Sequence, residues 1–451
     1  MSELKTIARH AGTVLIGQLA VIAFGVADTV IAGRLSPQAL ATLSLASSIY
    51  ISIYVGLNGL IQALLPVWAE LRGAGQLQAI GQSVRQALYV VAVAALVGIL
   101  ALCFPDPWLQ WTEVPPALWP EVRAYLQVLA LALVPSLLFR MYGTLNQSLG
   151  YPRLVTWLQA GAFFVKVPLS ASLTLGLAGL PALGVVGCAW ATLMVNSLML
   201  LTGIWLLRTQ AIYKPYQLWR KLEAPNVPML RRFAQLGLPS GLSIMVEITS
   251  FTLMALFIAR LGAVPLASHQ IAANMAGVLY MLPLALGIAS SARTGYWLGA
   301  DQPQRARQAA LTGLVLATGM ALLCACGLWL ARAPLARLFT ADPAVAAAAA
   351  AWLTWVACYH LTDAVQTVCV FLLRCYRITL APLLIYTVLL WGVGLYGGYL
   401  LAYQGLGPWA AQPSVGSFWL TSFAALAVVA ALFLGLLWRA MHKRPPRTLA
   451  V

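Results

Sequence analysis

Residues 12–33 read GTVLIGQLAVIAFGVADTVIAG and contain one ionisable side chain, Asp28. A helix needs about 20 apolar residues to cross the hydrocarbon core of a bilayer, so this run is long enough to span a membrane. Eleven further runs of this kind follow along the chain. The predicted spans are 12–33, 43–68, 86–104, 122–142, 154–177, 183–207, 234–259, 267–292, 309–331, 346–373, 380–402 and 417–439. The pattern predicts an all-α polytopic membrane protein.

The composition excludes the soluble classes of protein. Of the 451 residues, 61% are hydrophobic and 8% are charged, whereas a typical soluble domain has about 25% charged residues. Such a chain cannot build a water-soluble surface, and it is too apolar to stay disordered in water. The seven cysteines lie mostly in apolar runs and form no CxxC pair, so we interpret them as small packing residues rather than metal ligands.

The basic residues divide unequally between the two sides of the predicted spans. If the N-terminus is cytoplasmic, 5 of the 27 Lys and Arg residues face the opposite side, Lys166 falls within a span, and all the others are cytoplasmic. The five are Arg34, Arg123, Arg260, Arg332 and Arg337. This bias follows the positive-inside rule and predicts that both termini are cytoplasmic. Topology therefore explains the net charge of +16, and no nucleic-acid partner is predicted.

The longest basic segment, 208–233, separates two sets of six spans. A shift of 226 residues aligns Arg34 with Arg260, Tyr54 with Tyr280 and Gly73 with Gly299. The chain is therefore predicted to contain two six-helix lobes, 1–207 and 234–451, related by an internal repeat. Parallel repeats of this kind are typical of transporters in which one lobe rocks against the other.

Three acidic residues lie inside predicted spans: Asp28, Glu247 and Asp363. A carboxylate at the bilayer centre costs at least about 2.5 kcal/mol and usually faces a cavity. Each acid is either a structural group, held in an ion pair or protonated, or a functional group that binds a proton or a cation. Tyr359 and Gln366 share a helical face with Asp363. Together with Glu247, this face is a candidate oxygen-rich site for H⁺ or Na⁺.

Lys166 is the only lysine within a predicted span. Its ammonium either snorkels to the interface or pairs with Asp28, and we favour the pair because Lys166 lies well inside the span. His269 begins span 8, and His360 lies three residues before Asp363. Each histidine is either a structural hydrogen-bonding group or part of a proton relay.

Several motifs together resemble the multidrug and toxic compound extrusion (MATE) transporters, in particular the NorM-like bacterial group. They are DTVIAGRL (28–35), GVVGCAWAT (184–192), LGLPSG (236–241), LASHQIAANM (266–275) and TDAVQTVCVFLLRCYR (362–377). The resemblance covers essentially the whole chain. It implies a secondary antiporter of the bacterial inner membrane that exports amphipathic, mostly cationic compounds in exchange for H⁺ or Na⁺. It implies neither an enzyme activity nor a cofactor, and one chain is expected to hold a whole pathway and to work as a monomer.

The resemblance also assigns site residues. The family's span-1 acid matches Asp28, the acids of spans 7 and 10 match Glu247 and Asp363, and Tyr359 matches an aromatic position beside the span-10 cation site. Polar supporting candidates are Ser170, Thr192 and Gln366.

The chain departs from the family pattern in span 5. Relatives usually carry asparagines two residues to either side of the position of Pro168, where this chain has Lys166 and Ser170. This departure leads to the hypothesis that a tethered ammonium replaces Na⁺ in the first lobe. Coupling would then run through Glu247 and Asp363, while Asp28 and Lys166 form a charge switch.

An alternative function is a flippase for lipid-linked precursors or other anionic lipids, since relatives in the same superfamily share the lobe organisation. A flippase should have a basic cavity for phosphate headgroups. The three intramembrane acids argue against that function, and Lys166 argues mildly for it. No nucleophile–base or metal-binding constellation supports an intramembrane enzyme, and repeated lobes with buried acids suit a carrier better than a channel.

Overall fold

The computed structural model describes residues 2–111, 116–177, 179, 181–405 and 410–442. Within these ranges, 12 helices are long and apolar enough to cross a membrane, which confirms the predicted fold class. We number them in chain order: α1 Glu3–Leu35, α2 Pro37–Gly73, α3 Leu77–Cys103, α4 Pro116–Ser148, α5 Pro152–Leu175, α6 Val186–Thr209, α7 Val227–Leu261, α8 Ala263–Gly299, α9 Pro303–Phe339, α10 Pro343–Cys375, α11 Leu380–Tyr403 and α12 Val415–His442.

Most helices extend beyond the apolar runs that predicted them. The first run begins at residue 12, whereas α1 begins at Glu3 and has 33 residues. At a rise of 1.5 Å per residue such a helix is about 50 Å long, which exceeds a hydrocarbon core of about 30 Å. Hydropathy detects only the part of a helix inside the hydrocarbon, so the polar turns outside it were missed.

Short capping sequences set the starts of α2 and α10. The Oγ of Ser36 accepts a hydrogen bond from the backbone N–H of Ala39 at 3.0 Å, and Pro37 takes the first helical position. The carboxylate of Asp342 accepts from Ala344 N–H at 2.8 Å at the start of α10. A side-chain acceptor satisfies N–H groups that the first turn leaves unpaired, and proline there forfeits no intrahelical bond.

The described chain forms two compact units. One contains residues 13–241 and the other contains residues 2–12 and 242–442. In the first, α4 packs against α2, α3 and α6, and 67% of its most apolar window is buried. In the second, α10 packs against α8, α9 and α12, and 78% of the corresponding window is buried. The fourth helix of each set of six is thus the centre of its own unit.

The middle of α11 departs from ordinary helix geometry, because residues Thr387–Tyr396 form π-helical turns. The indole N–H of Trp391 in this stretch donates to the carbonyl of Val246 in α7 at 3.2 Å. The hydroxyl of Thr421 donates to the carbonyl of Gly394 at 2.7 Å and satisfies an oxygen in the irregular stretch. The sequence predicted a plain span here. Such turns often accompany functional sites, and this one contacts the residue before Glu247.

The segment after α6 is held against α3. The guanidinium of Arg85 donates to both carboxylate oxygens of Glu223 at 3.0 and 2.5 Å and to the carbonyl of Gln217 at 2.7 Å. The hydroxyl of Tyr89 donates to the carbonyl of Glu223 at 2.8 Å. These hydrogen bonds from Arg85 hold the pKa of Glu223 below its ordinary value.

We expect Arg85→Ala to release this segment. Amide hydrogen exchange in residues 210–226 should quicken by roughly tenfold, since the substitution removes three charge-assisted hydrogen bonds. Because the pKa of Glu223 is lowered on folding, the contact is formed at neutral pH and is lost as the pH falls through that lowered pKa. Arg123→Ala, which breaks the exposed pair with Asp106, is the control. Unchanged exchange in the Arg85 variant would contradict the assignment.

Candidate functional site

In the first unit, Asp28 of α1 and Lys166 of α5 form a buried ion pair. The Nζ of Lys166 lies 2.9 Å from Oδ2 of Asp28. Lys166 is 1% exposed and Asp28 is 7% exposed. The structure therefore brings together the two residues that the sequence suggested as partners, and Lys166 does not snorkel.

Both members of the pair make further hydrogen bonds. The Nζ of Lys166 donates to the carbonyl of Cys188 at 3.0 Å and to Oγ1 of Thr192 at 2.8 Å. An ammonium has three N–H groups, and three oxygen atoms accept hydrogen bonds from them here. The hydroxyl of Ser170 donates to Oδ1 of Asp28 at 2.8 Å. A carboxylate, a hydroxyl and a carbonyl form the donor set of a monovalent-cation site, and the lysine ammonium occupies its centre.

In the second unit, Gln366 joins the two other intramembrane acids. Its amide Nε2 donates to Oε1 of Glu247 at 3.1 Å and to Oδ1 of Asp363 at 2.9 Å. Asp363 and Gln366 are 3% and 0% exposed, and Glu247 is 9% exposed. The two carboxylates thus share one amide across α7 and α10 in a buried environment.

Two residues outside the predicted set complete this network. The hydroxyl of Tyr386, just before the π-helical stretch of α11, donates to Oε1 of Gln366. Nε2 of Gln366 also lies 3.1 Å from Oγ1 of Thr367. Tyr386 is 2% exposed. Its donation orients the amide so that the N–H groups, rather than the amide oxygen, face both acids.

Removing the Tyr386 hydroxyl tests this orientation. Tyr386→Phe should keep the fold, cost about 1 kcal/mol of unfolding free energy and slow transport several-fold, because Gln366 is then free to rotate. Tyr396→Phe, at an exposed position of the same helix, should change neither quantity. Wild-type transport in Tyr386→Phe would show that the hydroxyl plays no part.

Aromatic rings cover the network on one side. Tyr359, one turn before Asp363, packs edge-on against Phe251 at 5.7 Å and against Trp419 at 5.8 Å between ring centroids. His269 lies 5.8 Å from the Trp419 ring, so it joins the same cluster. His269 is 0% exposed, and neither of its ring nitrogens has a hydrogen-bond partner within the described ranges.

His360 lies three residues before Asp363 on α10. It is buried, and its Nε2 has no hydrogen-bond partner in the part of the chain that the structure describes. The structure therefore adds no contact that supports a relay role for His360.

The site in the second unit offers a cation two carboxylates but no amide oxygen. Among the described residues, no group of three or more His, Cys, Asp and Glu side chains is placed to hold a metal ion. Na⁺ binds oxygen ligands, and Glu247 and Asp363 supply carboxylate oxygens. Gln366 presents N–H groups to both acids, so it must rotate before its oxygen can join them.

Sequence reasoning missed several members of both sites. The carbonyl of Cys188 carries no side-chain signal, and Thr367 resembles any other polar residue on a helix. Tyr386 was visible only as one tyrosine in an apolar span. Arg374 in the last turn of α10 is buried, lies 4.5 Å above the ring of Phe371 and interacts electrostatically with Glu247. Because Arg374 is a charged residue at the end of a predicted span, it was the easiest of these residues to identify from the sequence.

Known proteins resemble this chain over most of its length. A family model described as MatE matches residues 14–172 and 239–400. The chain is 38% identical over 436 residues to a probable multidrug resistance protein NorM of Aromatoleum aromaticum, with 97% of this chain and 94% of the relative covered. It is 33% identical over 414 residues to the multidrug resistance protein PmpM of Pseudomonas aeruginosa, with 92% and 86% covered.

The fold is also that of solved transporters. The crystal structure of the eukaryotic MATE transporter AtDTX14 superposes with a TM-score of 0.87 at 18% identity, covering 98% of each chain. The motifs, the twelve spans, the family model and the relatives agree, and the chain belongs to the MatE family of multi-pass membrane transporters, which are not enzymes.

Proposed function

We propose that this chain is a secondary antiporter that exports amphipathic, mostly cationic small molecules across the bacterial inner membrane in exchange for H⁺, with Na⁺ as the alternative coupling ion. The observation that carries the proposal is the pair of buried carboxylates, Glu247 and Asp363, bridged by the amide of Gln366. The multidrug resistance proteins at 33–38% identity support the substrate class.

The acid pair acts by competition between ligands. Two carboxylates in a dry site repel each other when both are ionised, so they hold a proton or a cation tightly. A cationic substrate needs the same negative charge, and each ligand therefore weakens the other. Thermodynamic linkage makes this effect reciprocal. Proton entry releases the substrate, and substrate entry releases the proton, as the transporter alternates its access.

The Asp28–Lys166 pair serves as a charge switch in this scheme. With the ammonium in place, the site is neutral and needs no ion. Separation of the pair would leave the Lys166 ammonium without its counter-charge. The chain would thereby use a tethered cation in the first unit and an exchangeable one in the second.

We also propose that both termini are cytoplasmic and that the protein works as a monomer. The bias of basic residues supports cytoplasmic termini. Each chain carries both acid sites, which supports function as a monomer.

Proton release on substrate binding tests the competition directly. Purified protein in weakly buffered detergent solution is mixed with ethidium, and a pH-sensitive dye reports released protons. We expect wild-type protein to release protons as ethidium binds and the double variant Glu247→Gln, Asp363→Asn to release none. Ethidium binding without proton release, at constant Na⁺, would contradict proton coupling. If a phospholipid rather than ethidium triggers proton exchange, the flippase alternative is favoured.

A further inference from the structure

The segment that joins α6 to α7, together with the last residues of α6 and the first two turns of α7, has a strongly basic outer surface. Residues 208–233 contain six basic side chains, all exposed: Arg208, Lys214, Arg220, Lys221, Arg231 and Arg232. Within the described ranges none of the six forms a salt bridge. The positive charge of this surface is therefore available to an external partner.

The single acid of the segment does not offset that charge. Both carboxylate oxygens of Glu223 are bound by Arg85, a side chain from α3 that lies beneath the segment and is 6% exposed. The same guanidinium anchors the carbonyl of Gln217. The fold thus neutralises Glu223 from inside and fixes the backbone of the basic segment in one position.

Apolar side chains flank the central basic pair. Trp219 and Leu222 are 51% and 52% exposed, and they lie on either side of Arg220 and Lys221 in sequence. The indole N–H of Trp219 donates to the carbonyl of Leu207 at the end of α6 at 3.2 Å, and the guanidinium of Arg208 lies 4.5 Å from its ring. Tryptophan prefers the boundary between the hydrocarbon and the headgroups, which is where a spanning helix ends.

We propose that Arg208, Trp219, Arg220 and Lys221 form a docking surface for anionic phospholipid headgroups. Charge complementarity and position favour this occupant, because basic clusters directly beside spanning helices attract anionic lipid. Trp219 and Leu222 would enter the interface while the three basic side chains contact phosphates. This surface lies outside both acid sites, and the inference does not depend on ion coupling.

Native mass spectrometry of the full chain in neutral detergent tests the surface. The probes are palmitoyl-oleoyl-phosphatidylglycerol, the matching phosphatidylcholine and inorganic phosphate. The test variant is Arg208→Gln, Arg220→Gln, Lys221→Gln. The control, Arg260→Gln, Arg332→Gln, Arg337→Gln, removes the same number of charges at the other ends of α7 and α9. Five of the six positions are exposed and Arg332 is half-buried. Gel filtration verifies that each variant is folded.

We expect wild type and control to retain phosphatidylglycerol in preference to phosphatidylcholine. The test variant should bind phosphatidylglycerol on the order of a hundredfold more weakly, since each basic residue near the surface contributes about fivefold. Equal retention by both variants would overturn the proposal. Displacement of phosphatidylglycerol by inorganic phosphate at equal concentration would also overturn it, because the site would then bind free phosphate rather than lipid.

Discussion

Asp363→Asn is expected to reduce coupled export of a lipophilic cation to the background of empty vesicles, a loss of at least about a hundredfold. The substitution leaves an oxygen to accept the hydrogen bond from Gln366 (2.9 Å in the wild type) but removes the charge that binds a proton or cation. The fold should therefore survive while transport fails. Efflux of ethidium from proteoliposomes, with reconstituted protein quantified, measures the effect.

Asp342→Asn provides the matched control on the same helix. Asp342 caps α10 through its side chain, and asparagine caps a helix about as well as aspartate. This variant should transport and unfold like the wild type. If Asp363→Asn transports at more than about a tenth of the wild-type rate, Asp363 does not carry the coupling ion. If both variants fail alike, the loss reflects α10 and not the acid site.

The second large effect is on stability, and it concerns the pair in the first unit. Asp28→Asn leaves the Lys166 ammonium buried without a counter-charge, and Lys166→Met leaves the Asp28 carboxylate in the same condition. Breaking a buried pair from one side costs about 3–5 kcal/mol, whereas replacing both partners is often nearly neutral. Each single variant should therefore be strongly destabilised, and the double variant Asp28→Asn, Lys166→Met should recover most of the loss.

Thermal unfolding in detergent, followed for wild type, both single variants and the double variant, gives the double-mutant cycle. A coupling energy of several kcal/mol is expected. Losses that simply add in the double variant would mean that the two residues stabilise the unit independently. Arg293 and Glu3, a less buried pair at 2.6 Å, supply a comparison cycle, and a smaller coupling is expected there.

Several parts of the account were predictable from sequence because they involve strong energetic constraints. Apolar runs must cross the bilayer, so all twelve spans were found. A lysine cannot stay unpaired in hydrocarbon, so Lys166 suggested a partner, and Asp28 was the acid available in the same set of six spans. Tyr359, Asp363 and Gln366 were grouped from helical spacing alone, and the structure shows all three buried.

Other contacts depend on tertiary packing, which the sequence of a single segment does not show. The carbonyl of Cys188 accepts a hydrogen bond from Lys166 only because α5 and α6 pack at that register. The contact of Tyr386 with Gln366 requires α11 to lie beside α10. The pairing of Glu223 with Arg85 joins residues 138 positions apart. The sequence marked segment 208–233 as basic, and only the structure shows that its one acid is already neutralised.

The most direct test of the central claim is efflux of a fluorescent lipophilic cation from proteoliposomes under two separate gradients. A pH gradient is imposed first without Na⁺, and a Na⁺ gradient is then imposed at constant pH. The account predicts that the pH gradient alone drives efflux by wild type and not by the double variant Glu247→Gln, Asp363→Asn. Efflux by wild type that neither gradient accelerates, or gradient-driven efflux by the double variant, would contradict the claim that this acid pair couples ion entry to export.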